Sequence, residues 1–102
     1  MPDIMPNAGD DAAVLSVGAE LMAEGCQVPI VSRRGPHEVA PMHTHPFTAR
    51  VAVLAGELTV RTAGGEVANY AAGDRFDMPR ATPHEEIAGP DGAILLIGQM
   101  FD

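Results

Sequence analysis

A chain of 102 residues has room for one domain with a single modest core. Its residues are 46% hydrophobic but only 4% aromatic, so that core is built from aliphatics and alanine, and nine prolines with eleven glycines imply many turns, favouring strands over helices. All six basic residues are arginines, against fourteen acidic ones, and the net charge of -8 opposes binding to a nucleic acid or an anionic membrane.

Residues 1–12 carry Pro, Gly, Asn and Asp in place of any periodic pattern and read as an N-terminal arm ahead of one domain over 13–102. Nothing in the acidic first eleven residues resembles a signal peptide and no run approaches the roughly 20 apolar residues of a membrane span, so a cytoplasmic protein is expected. Ser16 can cap a short helix to Glu24, stopped by Gly25, with Val17, Leu21 and Met22 as its buried stripe; a first strand over Ala13 to Val17 is the alternative. Cys26 is the single cysteine and reads as a packing residue.

Gln27 to Arg34 alternates as a strand, with Pro29 implying either a sheet edge or an irregularity, and the Arg33-Arg34 pair reads as its solvated end. After the Gly35-Pro36 turn, Val39 to His45 is extended and Pro46 bends the chain. Strands over Phe47 to Leu54 and Glu57 to Thr62 are expected on either side of a tight connection at Ala55-Gly56. Gly64-Gly65 is a hairpin signal leading into Glu66 to Tyr70, and Gly73-Asp74 turns the chain into Arg75 to Met78, with Phe76 and Met78 inward. Pro79 and Pro83 stiffen a loop that delivers His84. Beyond a turn at Gly89-Pro90-Asp91-Gly92, the apolar run Ala93 to Ile97 should be a strand buried on both faces. Seven or eight short strands at this spacing argue for an all-β sandwich or barrel.

His43 and His45 stand at a spacing of two, so on a strand they share one face with α-carbons about 6.6 Å apart. A third imidazole, His84, from a neighbouring strand would complete a facial set that leaves coordination positions open, the outline of a catalytic metal site. These residues resemble the two motifs of the cupin superfamily. His43, His45 and Gly56 fall in register with the first motif, Gly73, Pro79 and His84 with the second. The motif glutamate falls on Ala49, with Arg50 at the alternative position, and His37, Ala81 and Ala88 stand where the motifs have Gly, Gly and Asn.

The resemblance implies a small jelly-roll barrel (a double-stranded β-helix) with a divalent transition metal near one mouth, held by His43, His45 and His84. Iron is favoured; zinc, manganese, nickel or copper also suit imidazole. It also implies a homodimer, with a small molecule as substrate or ligand. A set of neutral histidines leaves the ion its full charge and favours an anionic chelating substrate; cysteine dioxygenase and acetylacetone dioxygenase are cupins that resemble this arrangement. Dioxygenase-type oxidoreductase chemistry is therefore the first expectation, and a non-catalytic ligand-binding or sensor module the second.

Phe47, Ala49, Val51, Val53, Phe76 and Met78 are the expected pocket lining. Glu86 is in strand phase with His84 and points inward, where it could act as a general base or a replacement ligand. His37 reads as an exposed turn residue with a fourth-ligand role as the alternative, and Arg50 as a surface or interface ion-pair partner.

Overall fold

The computed structural model describes residues 8–101. Among these, one helix is followed by six strands: α1 (Ala8–Ala23), β1 (Ile30–Arg34), β2 (Val39–His43), β3 (Thr48–Thr62), β4 (Val67–Ala71), β5 (Arg75–Met78) and β6 (His84–Met100). The helix begins inside the segment expected to be an arm and excludes the alternative strand over Ala13 to Val17. Its C-terminal stop is at Gly25, whose φ of 106° is open to glycine at little cost. Gly25 N donates to Met22 O and Cys26 N to Leu21 O, the paired bonds of a Schellman ending. Val14, Val17 and Leu21 follow the helical repeat and meet Ala52, Leu96 and Met100 on the sheet. Met22, expected in that stripe, is 47% exposed instead, one position round the helix from Leu21.

The seven or eight expected strands resolve into six because two of the breaks are bends. Ala55-Gly56 lies within β3, and Gly89 to Gly92 lies within β6. These two long strands pair antiparallel along their whole length, from Thr48 opposite Met100 to Thr62 opposite His84, with register shifts at Val53/Ala55 and Gly56/Leu58. The first part of β3 also pairs with β5 and the second part with β4. Likewise β1 pairs with the last part of β6 and β2 with its first part. Each long strand thus serves both halves of a sheet folded over on itself, the jelly-roll arrangement.

The apolar interior lies between the halves. Ala49, Val51, Val53, Leu58, Val60, Met78, Ala88, Ala93 and Leu95 form one buried cluster there. Alternate residues of the same strands, Ala52 and Leu96, face the helix instead. The run Ala93 to Leu96 is accordingly buried on both faces, as its unbroken hydrophobicity predicts. Outside the core, Glu24 at the helix end bonds Arg50 and Arg75, and Arg50 makes a two-pronged bond to Asp77. This fits the surface ion-pair reading of Arg50; such exposed pairs orient α1 more than they stabilise it.

Among the described residues two non-glycine residues have positive φ, His37 (57°) and Ala81 (60°), and they occupy the two motif glycine positions that this chain fills with another residue. The backbone has kept the turn while the sequence has lost its easiest occupant. Ala81→Gly is expected to raise stability by about 1 kcal/mol, since a left-handed Cβ costs about 1–2 kcal/mol and glycine returns part of that as chain entropy. His37→Gly should gain less, because His tolerates this region better than Ala. Urea denaturation of both variants checks the order.

Candidate metal centre

The strand ends place the three histidines. His43 closes β2 and His84 opens β6, and the two stand directly opposite each other after a register shift between Ala40 and His43. Pro41, in that irregular stretch, has no N–H to give the ladder. His45 lies just beyond β2, in the connection to β3, so the shared-strand argument places only His43 on a strand. His45 is tied down differently: its carbonyl accepts from Ala81 N at 2.9 Å, joining its loop to the one that delivers His84.

The imidazoles converge, with ring centroids 4.7 Å apart for His43 and His45, 4.3 Å for His43 and His84, and 5.1 Å for His45 and His84. One ring nitrogen from each lies within 4.8 Å of those of the other two. Two tautomers follow from the backbone. His43 Nδ1 lies 2.6 Å from Pro41 O and His84 Nδ1 lies 2.8 Å from Thr82 O. A carbonyl only accepts, so each Nδ1 donates and each Nε2 carries a lone pair.

His84 is 1% exposed, and among the described residues its Nε2 is the buried side-chain polar atom without a hydrogen-bond partner. Such an orphan costs about 1–3 kcal/mol. Three imidazoles converging on one point, with the most buried nitrogen unpaired, fit a divalent transition metal.

His45 takes up a proton less readily than a free imidazole, first because burial disfavours the charged ring and then because His43 and His84 lie beside it. The unfolded chain, with a value near 6.5, therefore binds that proton at a pH where the folded chain does not. Stability of the metal-free protein should fall as pH drops from about 6.5 through the lower folded value. Replacing His45 with Gln should flatten urea midpoints across that window; an unchanged slope would count against this cause. Cys26, by contrast, is held above the ordinary thiol range by burial, which leaves it inert.

The histidines open on a cavity of about 200 Å³ whose lining includes Phe47, Ala49, Val51, Met78 and Glu86. Two expected lining residues are elsewhere. Val53 is packed in the core beyond the cavity, and Phe76 stacks on Tyr70 with centroids 4.3 Å apart. Strand phase gave their direction but not how far along the interior the open space extends.

Sequence reasoning missed the contribution of β1 and the end of β6. Ile30, Ser32, Arg34, Ile97 and Gln99 all line the cavity. Arg34, read as a solvated strand end, has a side chain only 14% exposed: it donates through Nη1 to Glu86 Oε1 at 2.8 Å and through Nε to Ser32 Oγ at 2.9 Å. The signal was its phase, in step with Ile30 and Ser32.

Glu86 is 6% exposed, and its Oε2 lies 3.5 Å from His84 Nε2. Ala49, at the motif glutamate position, lines the same cavity with nothing to donate. His37 is exposed and outside the histidine cluster.

Among solved structures the fold is similar to that of an RmlC-like cupin from Shewanella frigidimarina, at 24% identity and a TM-score of 0.63, covering 71% of this chain and 63% of that one. It is also similar to a protein from Neisseria meningitidis, at 16% identity and a TM-score of 0.63, covering 97% and 82%. A third likeness is to an oxalate decarboxylase of Bacillus subtilis with Mn(II) centres, at 22% identity and a TM-score of 0.65, covering 71% and 20%. The chain thus spans less than two thirds of the Shewanella protein and a fifth of the decarboxylase, and at these identities the likeness is one of fold. No curated protein sequence matches it. The cupin domain family matches residues 31–97, from β1 through the buried run of β6 and across all three histidines, and the chain belongs to that family.

Proposed function

We propose that this cupin is a metal-dependent protein that holds a divalent transition ion on His43, His45 and His84 and acts on a small anionic molecule, with dioxygenase-type chemistry as the first reaction to test. The observation that carries the reading is the buried, unpartnered Nε2 of His84 facing two further imidazoles. Iron is the favoured ion, with zinc, manganese, nickel or copper as the others that imidazole suits. Such an ion supplies Lewis acidity and open positions for a chelating substrate and dioxygen.

The chain's own residues set the rest. A cavity of about 200 Å³ holds roughly six or seven waters' worth of volume, so the substrate is a molecule of few heavy atoms. Val51, Met78 and Ile97 give it apolar walls. Phe47 packs on His45 and on Phe101, at centroid distances of 4.9 and 5.3 Å, and covers one side of the histidines. Arg34, Ser32 and Gln99 supply polar contacts that can orient an anion.

We include a cytoplasmic homodimer in this reading. Val31 on the edge strand β1, with Val39 and Met42 on β2, are exposed apolar side chains that a second copy would cover. Metal analysis of protein purified without added metal or chelator, followed by oxygen uptake with small thiols, enols and carboxylic acids, tests the function. Bound iron with uptake on one class supports it. Protein that stays metal-free after reconstitution overturns it and leaves a ligand-binding module in its place.

A further inference from the structure

Ala49 removes the carboxylate that the first motif would place beside the histidines, yet the cavity is not without one. Glu86, on β6, lines the same space as Ala49 on β3. Its two oxygens have different surroundings. Oε1 accepts from Arg34 Nη1 at 2.8 Å, and Arg34 is itself held by Ser32. The other oxygen, Oε2, lies 3.5 Å from His84 Nε2.

That second approach is the informative one. His84 Nδ1 gives its proton to Thr82 O, so its Nε2 presents a lone pair. An ionised carboxylate oxygen presents only lone pairs as well. Two acceptors facing each other at 3.5 Å, in a site almost closed to water, repel unless a proton or a metal ion sits between them. With metal–ligand bonds of about 2.0–2.2 Å, two donors on one tetrahedral or octahedral ion stand roughly 3.0–3.5 Å apart. The observed separation is that of a ligand pair with His84, although among the described residues only the three imidazoles bring ligand atoms within 4.8 Å of one another, so Oε2 must swing further toward His43 and His45 to share their ion.

We propose that Glu86 is a fourth metal ligand, supplying from β6 through Oε2 the carboxylate missing at Ala49. The proposal rests on the three-histidine reading and adds to it. Arg34 is then a positioning residue: it grips Oε1 and turns Oε2 toward the ion, as outer-shell partners commonly orient ligating carboxylates. Carboxylate and guanidinium cancel in charge, so the site as a whole keeps the ion's positive charge and its preference for an anion.

The test is metal affinity, read by competition of Zn(II) and Co(II) against a chelator, with the Co(II) absorption spectrum as a measure of coordination. Glu86→Gln keeps an acceptor for Arg34 but loses the charge; it should weaken binding about 100-fold or more, beyond the 10–100-fold of an outer-shell partner, and change the Co(II) bands. Adding Ala49→Glu to that variant should recover affinity, because the carboxylate returns from the motif's own position.

In case the variants fold poorly, the infrared difference spectrum of Zn-loaded minus metal-free wild type should show a shifted carboxylate band. Wild-type affinity and spectrum in Glu86→Gln, or no carboxylate shift in the wild type, overturns the proposal while loss of metal in His84→Ala leaves the histidine site standing. Failure of the wild-type protein itself to bind metal overturns both.

Discussion

His84→Ala is expected to abolish metal binding while leaving a folded, metal-free barrel. The ring is 1% exposed, and trimming a side chain of this size from a core usually costs about 2–5 kcal/mol. Part of that is offset, because the variant no longer buries an unpaired Nε2, which costs about 1–3 kcal/mol in the metal-free wild type. The metal-free variant should therefore lie only modestly below metal-free wild type. The large difference appears on adding metal. At a free concentration 100 times its Kd, a ligand that binds only the folded state stabilises it by about 2.7 kcal/mol. For a domain of this size that is roughly 10–20 °C in Tm. Wild type should show the shift and His84→Ala none. Equal metal-induced shifts in the two proteins would sink the three-histidine site.

Gly56→Ala should produce the largest loss of stability. Gly56 has a φ of 76°, and a Cβ there would lie 2.0 Å from Gly92 O, with the Gly92 carbonyl carbon and Ala93 Cα both at 2.9 Å. These are backbone atoms of the partner long strand, with no flexible end to move aside. Relief requires β3 and β6 to part where both bend. The expected cost is several kcal/mol, comparable with the whole stability of a small domain, about 5–15 kcal/mol. Circular dichroism and thermal melting should find little folded protein.

Gly65→Ala is the control, since Gly65 also has positive φ (92°) but nothing lies within 4 Å of its added Cβ. It should lose only the left-handed strain, about 1–2 kcal/mol. A Gly56→Ala protein melting within a few degrees of Gly65→Ala would refute the argument.

The contrast between these glycines shows what the sequence could and could not convey. Gly64-Gly65 and Gly73-Asp74 mark true reversals between successive strands, and their local chemistry is sufficient to identify them. Ala55-Gly56 and Gly89 to Gly92 carry the same local signs, yet they are bends where two long strands touch. Only the pairing partner distinguishes the cases, and a partner far along the chain leaves no mark at the turn.

The site divides along the same line. His43, His45 and His84 were legible because metal ligation demands a rare residue type at fixed spacing, and the inward direction of Glu86 because strand phase carries from His84. Arg34 was not, since a guanidinium at a strand end gives no sign that an opposing sheet will close over it. Likewise Val53 and Phe76 point inward without reaching the cavity, because phase specifies a face and not a depth.

One consequence follows from the strands that carry both a helix-facing and a cavity-facing side. Ala52 and Leu96 lie under α1, and each is covalently next to a wall of the cavity, Val51 in one case and Ile97 in the other. In a packed interior that transmits strain rather than absorbing it, the helix and the cavity wall made by these strands cannot move independently. Helix α1 is mechanically a buttress: it sets the stiffness of the cavity from outside, without contributing an atom to its lining among the described residues.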